Sequence, residues 1–184
     1  TVVADFQDED GYDKVLTTID GRDYVIGRRD DQFMVTLTPR GSYTVTRPLV
    51  MSTGSHHMQL YWYSTGQTRL LGMLPFVYLI EDQRWIPRDA AFLGVTGPSS
   101  DELQRWNGTC IRCHTTHPRS RVFTGTDVDS QAAEFGISCE ACHGPGAAHV
   151  EANRNPLYRF GNYMSKPADD TIVNPLNVAH ERGS

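Results

Sequence analysis

Apolar and polar positions alternate with a period of two through most of the first half of the chain. That period marks strands, because successive side chains of a strand point to opposite faces. In "DKVLTTIDGRDYVIG" two such runs flank Asp20-Gly21, a pair suited to a tight hairpin turn. In "FMVTLTPRGSYTVT" the alternation continues on both sides of Pro39 to Ser42, and in "YWYSTGQTRLLGML" around Ser64 to Gln67. "PFVYLIEDQRWIP" adds one or two more strands, the last ending near Pro87. Met58, Leu60 and Trp62 alternate with Gln59, Tyr61 and Tyr63, which predicts a half-buried strand after His56 and His57. Six or seven short antiparallel strands make a small β-domain, a sandwich or a barrel.

The pattern changes after residue 93. "GVTGPSS", residues 94–100, is a linker by composition. Ser99 and Glu102 have capping-box spacing and predict a helix through "SDELQRWNGTCIRCH". Beyond it the chain reads as loop with short helices around each cysteine pair, and "TGTDVDSQAAEFG" as one or two helical turns. The expected fold class is α+β, with a small antiparallel β-domain over 1–93 and a loop-rich, short-helix domain over 101–184.

Composition and charge narrow the function. With 184 residues, 39% hydrophobic and 10% aromatic, the chain has enough apolar material for a packed core in one domain or two small ones. A net charge of -5 and a pI near 5.7 exclude the Lys/Arg surplus that nucleic acid demands. No run of about eighteen apolar residues exists to make a transmembrane segment. The start, "TVVADFQDEDGYD", has neither a basic n-region nor an apolar h-region, so a soluble chain is expected, its export signal removed or never present. The acidic stretch "DFQDEDGYD" reads as a solvated arm.

The four cysteines form two pairs, Cys110/Cys113 in "CIRCH" and Cys139/Cys142 in "CEACH", each followed at once by a histidine. A zinc ribbon spaces its pairs about 15 to 20 residues apart; here 25 residues lie between Cys113 and Cys139, and a ribbon has no need of a histidine after both pairs. Structural disulfides or a thioredoxin-like redox pair leave His114 and His143 unexplained, and no βαβ pattern surrounds either site. Covalent haem attachment uses every position. Two thiols add to the two vinyl groups of one porphyrin, and the next residue places its imidazole on the iron. Two haems c are expected, held by Cys110, Cys113, Cys139 and Cys142, with His114 and His143 as proximal ligands.

Five histidines remain as possible sixth ligands. His117 follows His114 by three residues and His149 follows His143 by six, so the chain keeps both close to a haem. A reciprocal arrangement is expected, His149 near the first haem and His117 near the second, although proximity in sequence does not assign the partner. His56 and His57 would point to opposite faces of a strand, so one of the two can reach a given iron. His180, in the polar tail, and Met164, in "GNYMSKP", are weaker candidates. His/His ligation gives a lower potential than Met/His. Asn107-Gly108-Thr109 matches a glycosylation sequon by chance, and Trp62, Trp85 and Trp106 read as core residues, with Trp106 near enough to the first site to pack on its haem.

"WNGTCIRCH" and "GISCEACHGPGAAHV", preceded by "GSHHMQLYWY" and "LPFVYLIEDQRWIPRDAAF", resemble the N-terminal part of exported multihaem c-type cytochromes, including those fused to tetratricopeptide repeats. The resemblance covers roughly residues 45–184, and its most specific piece is "CEACHGPGxxHV". It implies haem attachment at the four cysteines, proximal ligation by His114 and His143, and iron or haem-pocket roles for His149 and the His56/His57 pair. Relatives continue into further C-x-x-C-H sites, whereas this sequence carries two. It also implies a periplasmic or extracellular protein that passes electrons to other cytochromes, redox proteins or further copies of itself. The competing function is a multihaem oxidoreductase with one open-coordinate iron, acting on a small nitrogen oxide or a peroxide.

Overall fold

The computed structural model describes residues 4–39, 42–91 and 106–165. The linker 94–100, the Ser99/Glu102 cap and His180 lie outside the described residues. Backbone proximity divides the chain into two compact units. One comprises Thr1–Thr109 with Ser120–Ser130, the other Cys110–Arg119 with Gln131–Ser184.

The first unit is a seven-stranded antiparallel meander, each strand pairing with the next in sequence: β1 (Lys14–Thr17), β2 (Asp23–Arg29), β3 (Gln32–Leu37), β4 (Val45–Thr53), β5 (Met58–Ser64), β6 (Leu71–Leu79) and β7 (Arg84–Pro87). The turns are those the glycine and polar clusters foretell. Asp20-Gly21 links β1 to β2, and Thr65–Leu70 links β5 to β6. Asp30-Asp31 between β2 and β3 is a turn the alternation alone does not show.

The sheet is curled. Tyr24 on β2 and Phe76 on β6 meet with ring centroids 5.7 Å apart, whereas strands four places apart in a flat sheet lie about 19 Å apart. The curl originates in β4. Its first half pairs with β3 up to Pro48, its second half pairs with β5 from Leu49 onward, and the register shifts between Leu49 and Met51. A proline cannot donate to a ladder, so Pro48 and the adjacent bulge mark the corner where one sheet hands over to the other. Pro75, in the middle of β6, sits in a second bulge, where Leu60 and Trp62 face Val77 and Met73. Both prolines thus lie where the ladder is already interrupted.

The curled sheet closes on one apolar cluster that includes Tyr24, Ile26, Val35, Leu37, Tyr61, Leu74 and Tyr78, with Leu16, Leu49 and Trp85 packed against it. All seven strands contribute. The N-terminal segment is part of this core, which corrects the reading of "DFQDEDGYD" as a solvated arm. Phe6 is 4% exposed. Its ring packs 4.5 Å from that of Phe33 and edge-on to Tyr61 and Trp85 at 5.2 and 5.8 Å. The indole N–H of Trp85 donates to the Asp5 carbonyl at 2.9 Å, and the Ala4 N–H donates to the Tyr61 hydroxyl at 3.2 Å. The acidic neighbours stay outside, while the single apolar residue fills the gap among the strands.

β5 is not half-buried. Gln59, Tyr61, Trp62 and Tyr63 are all buried, because both faces of the strand are covered. One face lines the barrel-like core. On the other, Trp62 packs against Trp106, centroids 5.6 Å apart. Tyr63 lies over Gly72, its cross-strand partner, where any β-carbon would collide with the ring at 2.2 Å.

Residues 120–130 also join this unit. They contain no helix, contrary to the turns expected in "TGTDVDSQAAEFG"; isolated bridges pair Arg119 with Gln131 and Val122 with Val128 in a hairpin-like excursion. The Arg69 N–H donates to the Val128 carbonyl at 3.0 Å, and the Thr68 hydroxyl donates to the Thr126 carbonyl at 2.8 Å. Val128 is buried, while Asp129 receives both Arg69 and Arg121, at 3.3 and 2.9 Å. A helical reading failed here because the segment's backbone groups pair across the excursion and with the β5–β6 turn.

Candidate functional site

Asn107 fixes the approach to the first cysteine. Its side-chain oxygen accepts from the Leu71 N–H at 3.2 Å, and its amide donates to the Arg69 carbonyl and the Ser130 hydroxyl, both at 3.0 Å. The residue is 1% exposed. With donors and acceptor all engaged in the interior, this asparagine is unsuited to carrying a glycan, which agrees with the chance reading of the sequon.

From Trp106 the backbone winds through a single π-turn, Trp106–Cys110, into α1 (Ile111–His114). Cys110 has helical angles, φ -65° and ψ -36°. Cys110 and Cys113 are therefore three residues apart on continuous helical backbone, and their thiols share one side. The second pair lies on α2 (Cys139–His143), with the same spacing and the histidine again at the last position. The short helices predicted around both cysteine pairs are present.

Cys110 is half-buried, and Cys113, Cys139 and Cys142 are exposed. Among the described residues, no group of three or more His, Cys, Asp or Glu side chains converges as a metal cage would require. A zinc ribbon needs its four ligands around one point. Here they stay as two pairs.

The two short helices are tied together. β8 (Thr115–Thr116) follows α1 and pairs with β9 (Glu134–Phe135), with Thr115 opposite Phe135 and Thr116 opposite Glu134. The Gly136 N–H donates to the His114 carbonyl at 2.9 Å and the Ala133 N–H to the Thr116 carbonyl at 3.0 Å. Gly136 holds φ at 109° with open space around the missing β-carbon, so backbone angle rather than room requires glycine. Thr115 is fully buried, and its hydroxyl donates back to the Ile111 carbonyl at 2.6 Å, closing the end of α1.

After α2 the chain turns at Gly144, φ 75°, and enters α3 (Ala147–Ala152) and then α4 (Pro156–Ser165). The Glu140 carboxylate accepts from the Gly146 N–H at 2.7 Å, linking α2 to the start of α3.

The other candidate ligands are dispersed. His149 lies on α3, half-buried, with the Asn153 amide donating to its carbonyl at 2.9 Å and lying 3.4 Å from its Nδ1. His117 is exposed and holds a left-handed backbone, φ 51°, directly before Pro118. His143 is exposed and His114 half-buried. Met164 is exposed on α4. His56 and His57 lie in the turn between β4 and β5 rather than on the strand, so the expected opposite-face geometry does not apply to them. His56 Nδ1 is 2.9 Å from the Ser55 hydroxyl, and the His57 carbonyl accepts from Ile80. Both belong to the first unit, whereas His114, His117, His143 and His149 belong to the second.

Burial supplies the last element. Among its described residues the second unit buries Ile111, Thr115 and Ala141 alone. Phe135, Ile137, Val150, Leu157, Phe160 and Tyr163 are all more than half exposed. Three small or medium side chains make no core. Two pairs of same-side thiols amid uncovered apolar residues fit a large, flat, apolar group bound through thioether links, and each trailing imidazole fits as a ligand to its iron.

Among the described residues no helix is long and apolar enough to cross a membrane. No curated protein and no solved structure matches the chain significantly. The profile of the cytochrome c554 and c-prime family matches residues 96–144, a span that contains both C-x-x-C-H runs and the tie between them, and this similarity supports electron transfer by a c-type cytochrome with haem c as its cofactor.

Proposed function

We propose that the chain is an electron-transfer cytochrome carrying two covalent haems, one on Cys110/Cys113 and one on Cys139/Cys142, each iron ligated on both sides by histidine. The observation that carries this reading is how few side chains the second unit buries among its described residues, beside two helical thiol pairs. A small region with so little buried apolar surface needs another source of stability, and a bound porphyrin is a common one.

A bound haem supplies a one-electron iron couple. The chain's own residues do the rest. The four thiols fix two groups covalently, so neither is lost when the iron changes charge. His114 and His143 donate imidazole from the residue after each second thiol. His149 and His117 are the proposed sixth ligands, His149 near the first haem and His117 near the second. The left-handed backbone at His117 supports a constrained role, since such angles in non-glycine residues cost about 1 to 3 kcal/mol and cluster at functional sites. His56 and His57 remain the alternatives from the first unit.

The proposed setting is outside the cytoplasmic membrane, where covalent haem ligation takes place, with other cytochromes, redox proteins or further copies of the chain as donor and acceptor. Exposed apolar residues around the thiol pairs support at least one haem edge near the surface.

Ligand binding tests relay against catalysis. Two bis-histidine irons are low-spin and leave no open position. The oxidised protein is expected to show no high-spin signal in electron paramagnetic resonance, and the reduced protein no rapid uptake of carbon monoxide. His149→Ala should open one site and admit carbon monoxide there. Rapid, stoichiometric binding to the unaltered protein would overturn the relay and favour an oxidoreductase acting on a nitrogen oxide or a peroxide. An unchanged spectrum in His149→Ala would remove His149 from the ligand set.

A further inference from the structure

We infer that Thr116 and Ser138 form a positioning clasp that fixes the two haem-bearing helices relative to each other and thereby sets the interaction between the two irons; the inference rests on the dihaem reading above.

The two hydroxyls lie 2.8 Å apart. Thr116 is two residues beyond His114, and Ser138 immediately precedes Cys139. One hydrogen bond therefore joins the end of one attachment motif to the start of the other. Ser138 occupies the N-cap position of α2, with extended angles of φ -96° and ψ 165°. Serine there ordinarily turns its oxygen onto a backbone N–H of the first helical turn. Here it makes no such cap bond, and its hydroxyl meets Thr116 instead.

The local cost to α2 is thus exchanged for a link between motifs. That exchange has a physical point only if the separation of the two motifs matters. The clasp is also braced on both sides. The β8–β9 pairing, the Gly136 N–H on the His114 carbonyl and the Ala133 N–H on the Thr116 carbonyl hold Thr116 from one side. The Thr115 hydroxyl holds the end of α1 from the other. Residues 136–138 join β9 to α2, and the Thr116–Ser138 bond spans that short connection.

Neither hydroxyl is proposed to touch a haem or an iron, so both are positioning residues. Their removal should leave haem attachment and iron ligation intact while altering how one iron senses the charge and spin of the other, because that interaction depends on separation and orientation. A purely structural serine or threonine would change stability without changing it.

The experiment uses the full holoprotein and four forms: unaltered, Thr116→Val, Ser138→Ala and Thr116→Ser. Haem content is measured first by intact mass. Interhaem interaction is then read as spin coupling in electron paramagnetic resonance and as the separation of the two reduction waves in a potentiometric titration. The expected result is two haems and an unchanged low-spin optical spectrum in every form, with coupling weakened and wave separation shifted in Thr116→Val and Ser138→Ala. Thr116→Ser, which keeps the hydroxyl, should behave as the unaltered protein. Unchanged coupling in both Thr116→Val and Ser138→Ala would overturn the clasp while leaving two haems in place. Should Thr116→Val fail to incorporate haem, Ser138→Ala decides alone, since Ser138 makes no side-chain cap bond for alanine to lose. An unaltered protein without two haems would refute the dihaem reading itself, a failure distinct from that of the clasp.

Discussion

The two units of this chain solve the same problem by opposite means. The β-unit buries a continuous apolar cluster to which all seven strands and Phe6 contribute, and local propensity, turn chemistry and packing agree along its length. The second unit has short helices, a two-residue ladder and three buried side chains among its described residues. Its order depends on hydrogen bonds around one point, the junction of β8, β9 and α2, and on whatever covers its exposed apolar residues. An antiparallel sheet can fold on its own hydrophobic contrast, whereas a segment with few buried side chains must borrow a core.

That contrast is most sharply broken by withholding haem. When the chain is produced without haem ligation, the β-unit should keep strong amide protection in β2, β3, β5 and β6, and residues 131–165 should exchange almost at once. Hydrogen exchange resolved by residue checks this. Strong protection of α2 and α3 without haem would show that the second unit needs no borrowed core.

Substitution in the β-unit should give the converse result. Phe6→Ala removes a ring 4% exposed and wedged between three aromatic partners, a loss of about 3 to 5 kcal/mol by the usual scale for buried phenylalanine. Denaturant unfolding followed by tryptophan fluorescence reads it, with Trp85 beside the cavity. The haem optical spectrum should not change.

Asn107→Ala sharpens the comparison at the point where the chain leaves the β-unit. It strands the Leu71 N–H and leaves the Arg69 carbonyl and Ser130 hydroxyl without this partner, a cost of about 1 to 3 kcal/mol. The loss should appear in the melting temperature of the β-unit.

The smallest expected effect is electrostatic. The Lys14 ammonium holds the Asp5 carboxyl below its ordinary value of 3.8, and the Arg29 guanidinium does the same for Asp13. Because both folded values are lowered, the stability they add is complete above the ordinary carboxylate value and is lost as pH falls through the lower, folded values. Both pairs are partly exposed, so solvent screening keeps the contribution of each small. Asp13→Asn should lower stability near pH 7 slightly and flatten the acid limb of the unfolding curve below about pH 4. An identical acid limb would remove the ion pair from the account.

The sequence made the β-meander legible through alternation and turn residues, because strands with a wet and a dry face print their period directly. It concealed Phe6, a lone apolar residue among acids, since no period exists in one position. It also concealed the second covered face of β5, which depends on Trp106 coming from far along the chain. The excursion 120–130 is stitched by single bridges, too sparse to give a repeating pattern. The two C-x-x-C-H runs are evident from spacing alone. Sixth ligands are not, because a ligand is chosen by distance in space; the turn that holds His56 and His57 removed the one geometric argument that alternation had offered for them. The Thr116–Ser138 contact leaves no trace in the sequence beyond two common residues 22 positions apart.

The central claim is that the second unit is completed by two covalently held haems. Intact mass of the denatured holoprotein, combined with a pyridine haemochrome assay, tests it most directly. The account predicts a chain heavier by two haem masses, with the haemochrome spectrum of c-type attachment and no zinc. A chain of unmodified mass, or one that holds zinc on its four thiols, would contradict it.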